Sequence, residues 1–145
     1  MFGGDEMWTR LHGATTHFPI ALLLTATALE TLALLPHRAA QRWQREWRAV
    51  SRWLLGIGAV SALPVVFSGL ALSRWNAGGQ GLLWKHHLFV WPSFGLLIAL
   101  AIWRIAVGES ASRRSVIIYF LMLLVAAGCV AAAGFWGGEL AASHG

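Results

Sequence analysis

The chain has 145 residues, of which 57% are hydrophobic and 12% charged. An ordinary soluble domain carries about a quarter charged residues. This composition, with a mean hydropathy of +0.62, excludes disorder, a disulfide scaffold and a typical soluble enzyme, and points to a membrane protein. A net charge of +5 is compatible with nucleic-acid binding, but the placement of the arginines argues against it. The lone cysteine, Cys129, leaves no internal disulfide, no c-type haem attachment motif and no thiolate zinc site.

Four apolar stretches follow in chain order, predicted as helices over about 13–35, 53–73, 86–107 and 115–138. Each approaches or exceeds the roughly 20 residues that cross a bilayer. Helices are expected because lipid offers backbone groups no other partner, and none of the runs alternates as a barrel strand would. The first stretch follows a leader holding Asp5, Glu6 and Arg10. It reads as a retained helix, not a cleaved signal. Pro64 and Pro92 are expected to kink their helices.

Basic residues set the expected orientation. Arg38, Arg42, Arg45, Arg48 and Arg52 lie between helices 1 and 2, and Arg104, Arg113 and Arg114 lie around the connection of helices 3 and 4. The other side holds Arg10, Arg74 and Lys85. Both termini are therefore expected outside, in a periplasm-like space. Trp8, Trp75, Trp84 and Trp136 fall near the outer interface, and Trp43, Trp47, Trp53 and Trp103 near the inner one, as in an aromatic belt. Trp91 lies deeper in helix 3.

Short connections predict an all-α, up-down, four-transmembrane-helix bundle, with helices 1 and 3 on one diagonal. No internal repeat is evident. Helix 4 is rich in small residues, including Gly134 and Gly138 in a G-x-x-x-G pattern, which predicts close helix packing, with room for a flat cofactor as the alternative.

Of six histidines, His37 falls among the inner arginines and reads as solvated. His12, His17, His86, His87 and His144 all fall on the outer side. Counting about 20 residues back from the inner helix ends puts His17 level with His86 and His87. A bundle diagonal is on the order of 12–14 Å for axes about 8–10 Å apart, a span that suits two imidazoles on a haem iron. His87 is favoured over His86, since it shares a helix face with Trp91 and with Gly95, where a macrocycle would find room. Two histidine ligands leave iron no open position, so electron transfer is the natural task. Arg74, Lys85 and Arg10 are candidate partners for haem propionates. His12 and His144 form a second tier.

Glu30 and Arg104 lie at matched depth near the inner ends of helices 1 and 3. They are expected to form an ion pair, with a quinone or proton site as the functional alternative. Cys129 reads as a small core residue.

The segment L-H-G-A-T-T-H-F-P-I-A-L, residues 11–22, resembles the opening H-P-x-x-V-H-F-P-I-A-L of a bacterial family of small four-helix membrane proteins, catalogued as domain of unknown function 2231. His12 and His17 match its two histidines, and Gly13 stands where the family usually has proline. His86 or His87 matches the histidine that tends to open the family's helix 3. Gly137, Gly138, Leu140, His144 and Gly145 match its G-G-x-L and H-G close. The resemblance implies a four-helix membrane domain, often proposed to carry haem and found alongside c-type cytochromes. It adds His12 and His144 to His17 and the helix 3 histidine as cofactor candidates.

The resulting expectation is a b-type cytochrome-like electron-transfer subunit, not a stand-alone enzyme. It would hold one or two haems, with His17 and His87 (or His86) as ligands and His12 and His144 supporting or holding the second. Its expected partners are the lipid bilayer, a larger membrane complex, membrane quinone and a periplasmic c-type cytochrome. The alternatives are a cofactor-free anchor subunit, and a copper or zinc site built from His12, His17 and His144.

Overall fold

A computed structural model describes residues 4–36, 38–107 and 111–143. Helix α1 spans Gly4–Leu34, α2 Arg38–Leu72, α3 Gly81–Val107 and α4 Arg113–Ala142. All four are long and apolar enough to cross a membrane. All four begin earlier than the apolar runs alone suggest, α4 by only two residues. The arginine-rich stretch expected as a loop forms the first turns of α2, because Arg, Gln, Ala and Trp are all tolerated in a helix and nothing there breaks it. Helices α1, α2 and α3 run without interruption through Pro19, Pro64 and Pro92. Helix α4 opens on Ser112, whose hydroxyl accepts from the Ser115 amide at 3.2 Å and satisfies one orphan donor of the first turn.

Within each membrane-crossing window only 22% to 33% of residues are buried. Val60, Ile105 and Phe135 are each more than 60% exposed. Apolar surface this extensive has no place in water, whereas lipid tails cover it at no cost. The narrow inner stripe is tightly packed: Leu23, Ala26, Leu55, Leu97, Leu100, Leu123 and Ala126 are all nearly or fully buried.

The bundle is two hairpins. Helix α1 packs mainly on α2, and α3 mainly on α4; the α2–α3 and α1–α4 faces are thinner, and α1 lies diagonal to α3. The starts of α1 and α3 share one end with the finishes of α2 and α4, here the histidine end. The opposite end, holding most of the arginines, is the arginine end.

The two hairpins repeat one another, contrary to the sequence expectation. On the odd helices His12 corresponds to His86, Leu23 to Leu97, Ala26 to Leu100 and Glu30 to Arg104, all at one constant interval along the chain. On the even helices Ser51 corresponds to Tyr119, Leu55 to Leu123, Val65 to Ala133 and Gly69 to Gly137, again at one interval. Nearly all of these core positions match in burial. Half of these pairs keep the same residue and half have diverged, so packing is what makes the repeat plain.

One packing expectation fails. Gly134 and Gly138 are exposed, and a Cβ at either would meet nothing within 4 Å. Gly137 makes the close approach instead, against the His86 ring.

Candidate functional site

Side chains three, four and seven residues apart share a helix face. On α1 the inward stripe runs through His12, Pro19, Leu23, Ala26, Glu30 and Ala33. His17 lies five residues, about 140° of helix rotation, from His12, and its ring is exposed. The sequence reading put both histidines on the outer side and matched His17 to His86 and His87 by depth alone, and depth says nothing about azimuth. On α3 the equivalent stripe runs through His86, Ser93, Leu97, Leu100 and Arg104. The pairing of His17 with His87 is therefore not formed; His12 and His86 occupy the equivalent inward places.

Each of these two rings spans to the partner helix of its own hairpin. His12 Nδ1 lies 3.1 Å from the Val65 carbonyl oxygen and 3.1 Å from Ser68 Oγ. His86 Nδ1 lies 2.9 Å from the Ala133 carbonyl oxygen. A carbonyl only accepts, so Nδ1 carries the proton in both neutral rings and Nε2 carries the lone pair. A glycine four residues beyond each carbonyl makes room for the ring. A Cβ on Gly69 would come within 3.0 Å of His12 Cε1, and one on Gly137 within 3.2 Å of His86 Cε1. The His86 ring lies within electrostatic reach of both His87 and His12.

His87 has a different place. It is buried, and its Nδ1 donates to the Gly78 carbonyl at 3.2 Å. Trp91 Nε1 donates to the Ala77 carbonyl at 2.8 Å. Together they pin the α2–α3 connection, where Asn76 Oδ1 also accepts from the amides of Gly78 and Gly79. Gly95, expected to leave space beside them, is exposed with nothing near its Cβ position. Arg74 is exposed at the end of α2 with a left-handed backbone, and Lys85 Nζ sits 4.4 Å from the Trp136 ring centre. Arg10 pairs with Glu6 at 2.8 Å on the surface. His144 and His37 lie outside the described residues. Among the described residues no three His, Cys, Asp or Glu side chains cluster as a metal site would require.

The arginine end confirms one pair and enlarges it. Glu30 is almost wholly buried, with Oε1 3.7 Å from Arg104 Nε and Oε2 3.9 Å from Arg48 Nε. Arg48 was read from sequence as a loop cation. Its place on an extended α2 turns it inward, a placement the helix-compatible composition of residues 38–52 could have signalled. Arg104 also stands 5.9 Å from the Tyr119 ring centre.

These features define a four-helix, membrane-spanning domain with a matched histidine pair at one end and a buried ionic cluster at the other. The chain belongs to the family of predicted membrane proteins designated DUF2231, which it matches over residues 9–145. No curated protein and no solved structure is significantly similar to it.

Proposed function

We propose that the domain binds haem b at its histidine end through His12 and His86 and serves as an electron-transfer subunit. The observation that carries this reading is the repeat-related pair: two inward histidines on diagonal helices, each with Nδ1–H committed to a backbone carbonyl. Metal-bound histidines typically make this second bond, which fixes the ring and leaves Nε2 basic. The donor set fits haem, with two imidazoles and the thinner faces lying between the hairpins and not within them. When bound, haem supplies one-electron redox chemistry. The chain's own residues hold the rings: Val65, Ser68 and Ala133 orient them, and Gly69 and Gly137 set their depth. Held by both His12 and His86, iron would have no open position, which would favour electron transfer over substrate chemistry. The arginine bias supports a histidine end that faces outward from the inner membrane. A c-type cytochrome or a larger complex would dock there, with membrane quinone as the other redox partner.

A second reading rests on the same bonds. His12 to Val65 and His86 to Ala133 are interhelical hydrogen bonds of the kind that hold membrane hairpins together, as a cofactor-free anchor would need. The two readings part in one experiment. The full chain is expressed with haem supplied, purified in mild detergent, and examined by reduced-minus-oxidised and pyridine haemochrome spectra. The expected result is a b-type α band, lost in His12→Ala and His86→Ala and kept in His17→Ala. A folded wild type without the band leaves the helix-clamp reading. A band lost in His17→Ala instead would refute the ligand pair.

A further inference from the structure

The arginine end contains a small half-open cavity, with about 20 Å³ of space behind a mouth that widens outward. Its walls include Glu30, Arg48, Trp103, Arg104, Ser115 and Tyr119. Tyr119 is only 4% exposed, yet its hydroxyl has no hydrogen-bond partner. Ser51 is its neighbour, without the geometry of a hydrogen bond. Arg48 Nε is likewise buried without a hydrogen bond, its contact to Glu30 being 3.9 Å long. A buried donor left unmade costs about 1–3 kcal/mol, so two on one cavity wall call for an acceptor.

The chemistry of that acceptor follows from the donors. A guanidinium and a phenol both donate, and the guanidinium fork matches phosphate geometry. Depth points to a lipid. Glu30 lies four residues, about 6 Å at 1.5 Å per residue, inside the end of α1. The same end carries exposed Trp43 and Trp53 and the exposed cations Arg42, Arg45, Arg113 and Arg114, which mark headgroup level. Basic pockets between transmembrane helices at that level take anionic headgroups.

We propose that this cavity seats the phosphate of an anionic membrane lipid, with Tyr119 Oη and Arg48 Nε donating to its oxygens. Glu30 then serves as a positioning residue that holds Arg48 and Arg104 along the wall. The site is independent of the histidine end.

The test uses the full chain in nanodiscs of phosphatidylcholine with or without phosphatidylglycerol, reading lipid retention by native mass spectrometry and thermal unfolding by circular dichroism. The wild type is expected to retain phosphatidylglycerol about tenfold better than phosphatidylcholine, a factor equal to about 1.4 kcal/mol, and to unfold later in its presence. Tyr119→Phe, which changes one atom and should fold, and Arg48→Gln are expected to lose most of that preference. Arg42→Gln, an exposed cation at the same end, is expected to keep it. Equal retention of the two lipids, an unaffected Tyr119→Phe, or an equal loss in Arg42→Gln would each overturn the proposal. Full protection by inorganic phosphate in pure phosphatidylcholine would overturn a lipid as its source.

Discussion

Replacing Glu30 with glutamine keeps the side chain's shape and removes its charge. Glu30 is 2% exposed at its side chain, with Arg104 Nε at 3.7 Å and Arg48 Nε at 3.9 Å. At an effective dielectric of about 20, each contact near 4 Å is an attraction of roughly 4 kcal/mol. Desolvation of three charges offsets much of this, so the intact cluster contributes little net stability. The variant is a different case, because it retains both guanidiniums after removing the carboxylate that balanced them. Breaking a buried pair from one side costs about 3–5 kcal/mol. The competing effect is small: neutral hydrogen bonds between membrane helices average about 0.6 kcal/mol, so an amide at position 30 restores little. Equilibrium unfolding in mixed micelles, followed by tryptophan fluorescence and far-UV circular dichroism, should place Glu30→Gln about 3–5 kcal/mol below the wild type. Adding Arg104→Met should recover part of the loss by removing one of the charges. A loss below about 0.6 kcal/mol in the single variant, the size of a neutral bond, would refute the view that Glu30 balances desolvated arginines.

Three further outcomes follow from the packing. Gly137→Ala puts a Cβ 3.2 Å from His86 Cε1, tighter than the roughly 3.5–4.0 Å optimum, so the ring must shift against its Ala133 bond. A stability loss of about 1 kcal/mol is expected, together with a displaced α band under the proposed haem ligation; an unchanged unfolding midpoint would mean the ring is not seated there. Gly79→Ala combines a φ of +76° with a Cβ 2.6 Å from Leu83 Cγ, whereas Gly81→Ala has a φ of +57° and open space. Backbone strain alone costs about 1–2 kcal/mol, so Gly79→Ala should lower the unfolding free energy by more than Gly81→Ala, and equal losses would contradict the close approach. Leu123 is fully buried, and Leu123→Ala should cost about 2–5 kcal/mol, measured by the same unfolding curves.

Several levels of this structure were legible from residue types alone. The four apolar runs required four membrane helices, because lipid satisfies no backbone groups and the runs had spanning length. Histidines and arginines separated to opposite ends because the alternation of short connections and long apolar runs leaves no other placement. The Glu30–Arg104 pair followed from equal depth, since few partners are available to an ionisable group in lipid.

Azimuth was another matter. Whether His12 or His17 turns inward depends on the rotation of α1, and apolar residues surround the whole helix in a membrane protein, so hydrophobic periodicity gives no phase. Tertiary packing supplies it: the buried stripe through Leu23, Ala26 and Glu30 carries His12 inward and leaves His17 exposed. The same packing assigns His86 to α4 and His87 to the α2–α3 connection, although the two are adjacent in sequence and chemically identical. It also brings Arg48 to Glu30 and matches the two hairpins, whose repeat is carried by position in the core and only in part by shared residues. Composition thus determines the solvent, the element count and which residues share an end of the bundle. Contact between helices decides which of them face one another, because a bilayer rewards apolar surface equally on every side and only the small polar and close-packed stripe distinguishes inside from outside.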